Sequence, residues 1–204
     1  MARINFSHQE IISRLGVFSI KAGPENHQTK NQMELAELLN DKGKKPKEKT
    51  EILSNWILGG AISMNSLIDF ADKAKDPVKA TCIEALEFAT KQNPDAANLE
   101  AFEFVSQNLA SKAPRIKWES AKVVGNTARL FLNKLDVAVK NLLINSEHEG
   151  TVVRWSAAFA LGEILKLKTN LNTELLPAIE AICLREEKES IRKIYLAAIK
   201  KASK

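Results

Sequence analysis

The sequence predicts an all-α fold, a right-handed α-solenoid of antiparallel helix pairs stacked side by side. Three observations carry that expectation. Residues 151–167, TVVRWSAAFALGEILKL, have the apolar spacing of one amphipathic helix. The same pattern recurs as VKATCIEALE from Val78, IKWESAKVVG from Ile116, VRWSAAFALG from Val153 and IRKIYLAAIK from Ile191, at offsets of 38, 37 and 38 residues. A constant period of this length marks a repeat architecture. Between the copies runs a second apolar helical segment, at residues 66–75, 99–111, 135–146 and 174–186.

Taken in order, residues 1–61 are helical in pattern but depart from that period. Ser7 and Glu10 form a capping box, and Phe6 can staple against Ile11. Ile11, Ile12, Leu15 and Phe18 then make an apolar stripe that stops at Gly23-Pro24. A second helix is expected from about residue 28 to 40, with Met33, Leu35, Leu38 and Leu39 on its apolar side. The run DKGKKPKEK at 41–49 reads as a charged, flexible linker broken by Gly43 and Pro46. A third helix follows from about 47 to 58, ended by Gly59-Gly60. This quarter is either a degenerate repeat and a half or a cap over the first repeat's open face, and the cap is the preferred reading.

Residues 62–204 divide into four repeats, 62–95, 96–133, 134–169 and 170–204, forming one continuous domain. Each repeat is a first helix, A, followed by a second, B. Every B segment opens with Val or Ile followed by a basic residue: Lys79, Lys117, Arg154 or Arg192. Counted from that first residue, offsets 0, 4, 5, 7, 8, 11 and 12 fall on one broad side of a helix and are largely apolar. Pro77 and Pro114 sit in the first turn of B helices, where a missing N–H costs nothing. Pro177 falls near the first turn of the last A helix. No unit can bury its own apolar sides, so stacking is required for stability.

DPVKATCIEAL from Asp76, TVVRWSAAFALGEIL from Thr151 and LLPAIEAICL from Leu175 resemble HEAT repeats over about 130 residues. The resemblance implies structural roles for Asp76 and for the basic column of Lys79, Lys117, Arg154 and Arg192. Pro114 and Thr151 stand where Asp76 and Glu189 stand in the other units, so a regular ladder between turn acids and basic residues is not expected.

The composition is that of a soluble globular chain, 45 % hydrophobic and 27 % charged over 204 residues. No apolar run approaches the roughly 18 residues needed to span a bilayer. The opening MARINFSHQE lacks the apolar stretch of a secretory signal, so a cytoplasmic location is expected, with no membrane partner. Cys82 and Cys183 fall at core-like positions and are expected to be free thiols. The net charge of +5 permits an anionic partner without demanding one. His8, His27 and His148 are far apart, with no spacing that holds a metal, and no phosphate loop or nucleophile elbow is present. No catalytic residue, metal or cofactor is expected.

The informative feature lies opposite the core, at offsets 2, 6, 9 and 13 of the B helices. The second repeat places Trp118, Lys122, Gly125 and Arg129 there, and the third Trp155, Phe159, Gly162 and Lys166. The first places Ala80, Glu84, Glu87 and Lys91 there, the last Lys193, Ala197, Lys200 and Lys204. In HEAT-like solenoids this side lines the concave surface, which implies an aromatic and basic groove with the two indoles as neighbours. The candidate binding residues are Trp118, Lys122, Arg129, Trp155, Phe159 and Lys166, since exposed aromatic and arginine side chains favour interfaces. The opposing reading is that the tryptophans fill seams between units and the charges are merely solvated.

The expected function is a non-catalytic scaffold whose groove holds a protein or peptide partner. The alternative is nucleic-acid binding, because the groove is similar in residue types to that of HEAT-like alkyl-purine DNA glycosylases. Lys122 and Phe159, one turn beyond each tryptophan, depart from the acid wanted there, and Glu84 or Glu119 would have to substitute. A third resemblance, to HEAT-like bilin lyases, carries over no catalytic residue.

Overall fold

The computed structural model describes residues 24–203, and every described element is helical. The Ser7–Glu10 capping box, the Phe6–Ile11 staple, the stripe through Phe18 and the groove position at Lys204 lie outside the described residues. Among the described residues ten α-helices follow one another: α1 (Pro24–Asn40), α2 (Pro46–Leu58), α3 (Met64–Lys73), α4 (Asp76–Gln92), α5 (Leu99–Asn108), α6 (Pro114–Thr127), α7 (Asp136–Asn145), α8 (Thr151–Leu165), α9 (Asn172–Arg185) and α10 (Glu189–Ala202). The odd helices form one row and the even helices another. Each even helix packs on the next even one, more extensively than neighbouring odd helices touch, so the stack bends around the even row. Helices α1 and α2 stand at the head of these rows, α1 against α3 and α2 against α4.

Local sequence explains the helix boundaries. Ser63 caps α3 by accepting from the Ser66 N–H, and Asn98 caps α5 by accepting from the Ala101 N–H. Pro46 and Pro114 open α2 and α6, and Pro77 lies in the first turn of α4. The charged run at 41–49 is therefore a linker only as far as Lys45. Within it, Asp41 accepts from the Gly43 N–H and from Lys44, which orders the turn. Helix α2 ends in a Schellman arrangement, with the Ala61 N–H donating to the Trp56 carbonyl and the Gly60 N–H to that of Ile57. Gly60 has φ +68°, which glycine adopts without a Cβ penalty. Pro177 lies inside α9, which starts at Asn172.

The helical offsets match the observed core closely. In α6 and α8 all seven expected core positions are buried, from Ile116 to Ala128 and from Val153 to Leu165. The last unit departs: Leu196, at an offset buried in every other unit, is 52 % exposed, because no described unit lies beyond α10 to cover it. Ala80, Glu87 and Gly162 depart the other way, being buried at offsets expected to face the groove. Two apolar clusters result, one beneath α1–α4 and a larger one under α4–α10, joined through Met64 and Phe104.

In the basic column Lys117 and Arg154 link one unit to the next without a turn acid, whereas Arg192 pairs with the turn acid Glu189 of its own unit. Lys117 Nζ donates to Asn145 Oδ1 (2.8 Å) and to the Leu109 carbonyl (3.1 Å). Arg154 Nε donates to Glu186 Oε2 (2.9 Å), and its Nη1 reaches the carbonyls of His148 and Glu149. Asn145 and Glu186 both stand at the C-terminal end of the following odd helix, where unpaired carbonyls favour a nearby cation. Lys79 instead lies 6.0 Å from the Phe104 ring centroid and 3.5 Å from Asp72.

Candidate functional site

The side of α6 and α8 opposite their main core carries Trp118 and Lys122 on one helix and Trp155 and Phe159 on the next, all half-buried or exposed. The six candidate residues fall there or at the adjoining loop, in two unlike groups.

The first group, between α2, α4 and α6, is a neutralised polar network. Trp118 is half-buried, and its indole Nε1–H donates to Glu119 Oε1 at 2.7 Å. Lys122 Nζ lies 2.7 Å from Glu119 Oε2 and 3.4 Å from Glu87 Oε2, and both acids are buried. Arg115 donates to Glu84 Oε2 (2.7 Å), which also accepts from Thr50 Oγ1 (2.9 Å). Burial lifts the pKa of Glu119, and the nearby Glu84 carboxylate adds to this, against the opposing pull of Lys122 and Trp118. Lys122 is thus committed to two carboxylates of the fold. Arg129, in the loop after α6, lies 3.5 Å from Asp95, with both side chains exposed.

The second group is aromatic. Trp155 is 40 % exposed and stacks on Phe159, ring centroids 6.1 Å apart and planes within 7°. The Phe159 ring lies over Gly125 of the neighbouring α6, where a Cβ would come within 2.4 Å of its Cε1. The missing side chain makes the slot that holds the ring. Trp155 therefore stacks along its own helix instead of on Trp118, whose indole is engaged by Glu119. Lys166 pairs with Glu163 at 2.5 Å, and on α10 Lys193, Ala197 and Lys200 are exposed.

Glu87 and Glu119, which neutralise Lys122, are not among the six candidate residues. The three-residue spacing of Glu119 and Lys122 was the available signal, since such pairs meet on a helix surface. The link to Glu87 crosses between units and has no local signature. Cys82 and Cys183 are both free and buried, and burial pushes the Cys82 thiol up to about 12. Among the described residues, no cluster of three or more His, Cys, Asp or Glu could hold a metal ion, and no helix is long and apolar enough to cross a membrane.

No protein-family model matches the chain, and no curated protein matches it. Solved structures do. A designed armadillo repeat protein in complex with the peptide (KR)4 is similar over 95 % of this chain and 84 % of its own, at 17 % identity and a TM-score of 0.63. Computationally designed armadillo repeat proteins for modular peptide recognition match over 96 % of this chain and 94 % of theirs, at 18 % identity and a TM-score of 0.61. The complex of CpcE and CpcF of phycocyanin lyase from Nostoc sp. PCC7120 matches over 81 % of this chain and 98 % of that one, at 17 % identity and a TM-score of 0.63. Identities this low speak to fold alone. The chain folds as a helical-repeat solenoid of the armadillo- and HEAT-like kind.

Proposed function

We propose that this chain is a non-catalytic scaffold that holds a protein or peptide partner on the inner, even-helix face, anchored at Trp155 and Phe159. The observation that carries this reading is the open indole of Trp155. It is a large apolar ring left accessible on the inside of a bend, held flat against Phe159 by the slot at Gly125. Trp118 and the lysines of α10 flank this anchor and supply polar contacts at its rim. The solved relatives support the same reading at the level of fold, since one is bound to a peptide and another is a complex of two chains. Nucleic-acid binding draws less support, because Lys122 and Arg129 already face carboxylates of the chain itself.

The test is a titration of the full chain against a peptide array, with Trp155→Ala beside it. Bound peptides should lose about tenfold or more in affinity in the variant, the cost of removing a central aromatic anchor. Single- and double-stranded oligonucleotides at 50 and 200 mM salt form the second arm. Tight oligonucleotide binding that weakens steeply with salt, with no peptide retained, would replace the scaffold reading.

A further inference from the structure

The even helices differ in charge on the two sides of Trp155. Between α2, α4 and α6 the cations are already answered, Arg115 by Glu84 and Lys122 by Glu87 and Glu119. Helix α10 is the opposite. It carries Arg192, Lys193, Lys200 and Lys201 against one acid, Glu189, which Arg192 and Lys193 share at its first turn. All four cations are exposed, and Lys200 and Lys201 stand about three turns from that carboxylate. Helix α8 abuts α10 so closely that Gly162 faces Ala198 and Ile194. Lys193 holds in α10 the offset that Trp155 holds in α8, and Lys200 stands about two turns further along the same side.

We infer that the partner segment held at Trp155 is acidic: an extended peptide that sets a large apolar residue on the Trp155–Phe159 stack and carboxylates, a few residues to one side, on Lys193 and Lys200. This rests on the Trp155 anchor and adds the chemistry of its ligand. Spacing sets the pattern. Packed helices lie about 8–10 Å apart, and an extended chain advances about 3.3 Å per residue. An acid about three residues from the anchor therefore reaches α10. Lys193 and Lys200 are about 10 Å apart along their helix, so the two acids fall within about three residues of one another. Between the lysines Ala197 is exposed and small, and leaves the path of the chain clear. The change of charge from α6 to α10 suits a chain whose charge changes along its length. A phosphate backbone is uniformly negative and would need free cations beside α4 and α6 as well, where Arg115 and Lys122 are taken. A basic segment would set like charges against α10.

An array of synthetic dodecapeptides tests this on the full chain. Each carries one tryptophan and, within about five residues to either side, two glutamates, two lysines or two serines in otherwise random flanks. The best glutamate members should bind about tenfold more tightly than their lysine counterparts at 50 mM salt, with a smaller lead at 200 mM. Lys193→Glu/Lys200→Glu, at exposed sites outside the core, should erase or reverse that preference and leave the serine members unchanged. Equal binding of glutamate and lysine members, or tighter binding of the lysine ones, overturns the inference; if Trp155→Ala still weakens every class, the scaffold reading survives it. A glutamate preference that outlasts the charge reversal also overturns it, by seating the acids elsewhere. Glutamate members that bind Trp155→Ala as well as the unaltered chain, or no binding by any member, overturn both readings. Tighter binding of single-stranded oligothymidylate than of any glutamate member, lost on charge reversal, overturns the inference by assigning those lysines to nucleic acid.

Discussion

Replacing Gly125 with alanine should change sign in its effect on stability according to whether Phe159 is present. In the unaltered chain the new Cβ would stand 2.4 Å from Phe159 Cε1 and 2.9 Å from its Cδ1. Carbon atoms rest at about 3.5–4.0 Å, so the ring must withdraw by more than an ångström and drag its stacked partner Trp155 with it. Overpacking of this kind costs about 1–3 kcal/mol. Exchanging glycine for alanine within a helix returns up to about 1 kcal/mol. The expected net loss is about 1 kcal/mol, or roughly 2–4 °C in Tm for a domain of this size. With Phe159→Ala in place the clash is gone and only the helical gain remains, so Gly125→Ala should then raise stability by up to about 1 kcal/mol. The coupling between the two sites is therefore about 2 kcal/mol, well above the error of a double-mutant cycle. Urea titrations followed by far-UV circular dichroism, with slopes compared across the four proteins, measure it. Equal stabilisation by Gly125→Ala in both backgrounds would refute the packing described for this seam.

Three further outcomes are expected. Arg154→Met strands the buried Glu186 carboxylate and should cost about 3–5 kcal/mol. Burial raises the Glu186 pKa, but hydrogen bonds from Arg154 and the Lys188 N–H outweigh it and hold the carboxyl below its ordinary value. Its contribution is thus full above about pH 4.3, the unfolded value, and is lost as pH falls through the folded one; the variant's stability curve should be flatter in that acid range. Glu119 has the opposite sign, since its folded pKa is raised and stability falls as pH climbs through it. Glu119→Gln should therefore gain on the unaltered protein between pH 3.5 and 7, and an advantage that shrinks over that range would contradict the burial of this acid. Phe102→Ala removes a fully buried ring packed 4.8 Å from Phe131 and should lower stability by about 3–5 kcal/mol in a denaturant titration.

The repeat was legible because the core imposes a period. Positions such as Ile116, Ala121, Val124 and Leu161 must each meet the same neighbours in successive units, so their spacing is written directly in the chain. Departures occur where neighbours differ. Leu196 follows the pattern but lacks a covering unit among the described residues, and hydropathy cannot register a missing neighbour. The candidate site was half legible for a related reason. Trp155 and Phe159 share one helical face, and their adjacency follows from spacing. Lys122 lies on the face that suits a groove cation, yet its charge is answered by Glu87 from the previous unit, a pairing 35 residues away that no local pattern encodes. The acceptors of Lys117 and Arg154 lay hidden likewise: with Pro114 and Thr151 in place of turn acids no ladder was expected, and the partners stand at the tail ends of odd helices about 30 residues on.

The missing side chains at Gly125 and Gly162 have a geometric consequence. Each sits where one even helix meets the next, Gly125 beneath Phe159 and Gly162 with Ala198 3.2 Å from where its Cβ would lie. Those two points act as closely set hinge pins along the inner arc, and the volume placed at them fixes how tightly the arc closes. Bulk added at Gly162 would prise α10 away from α8 and widen the curve.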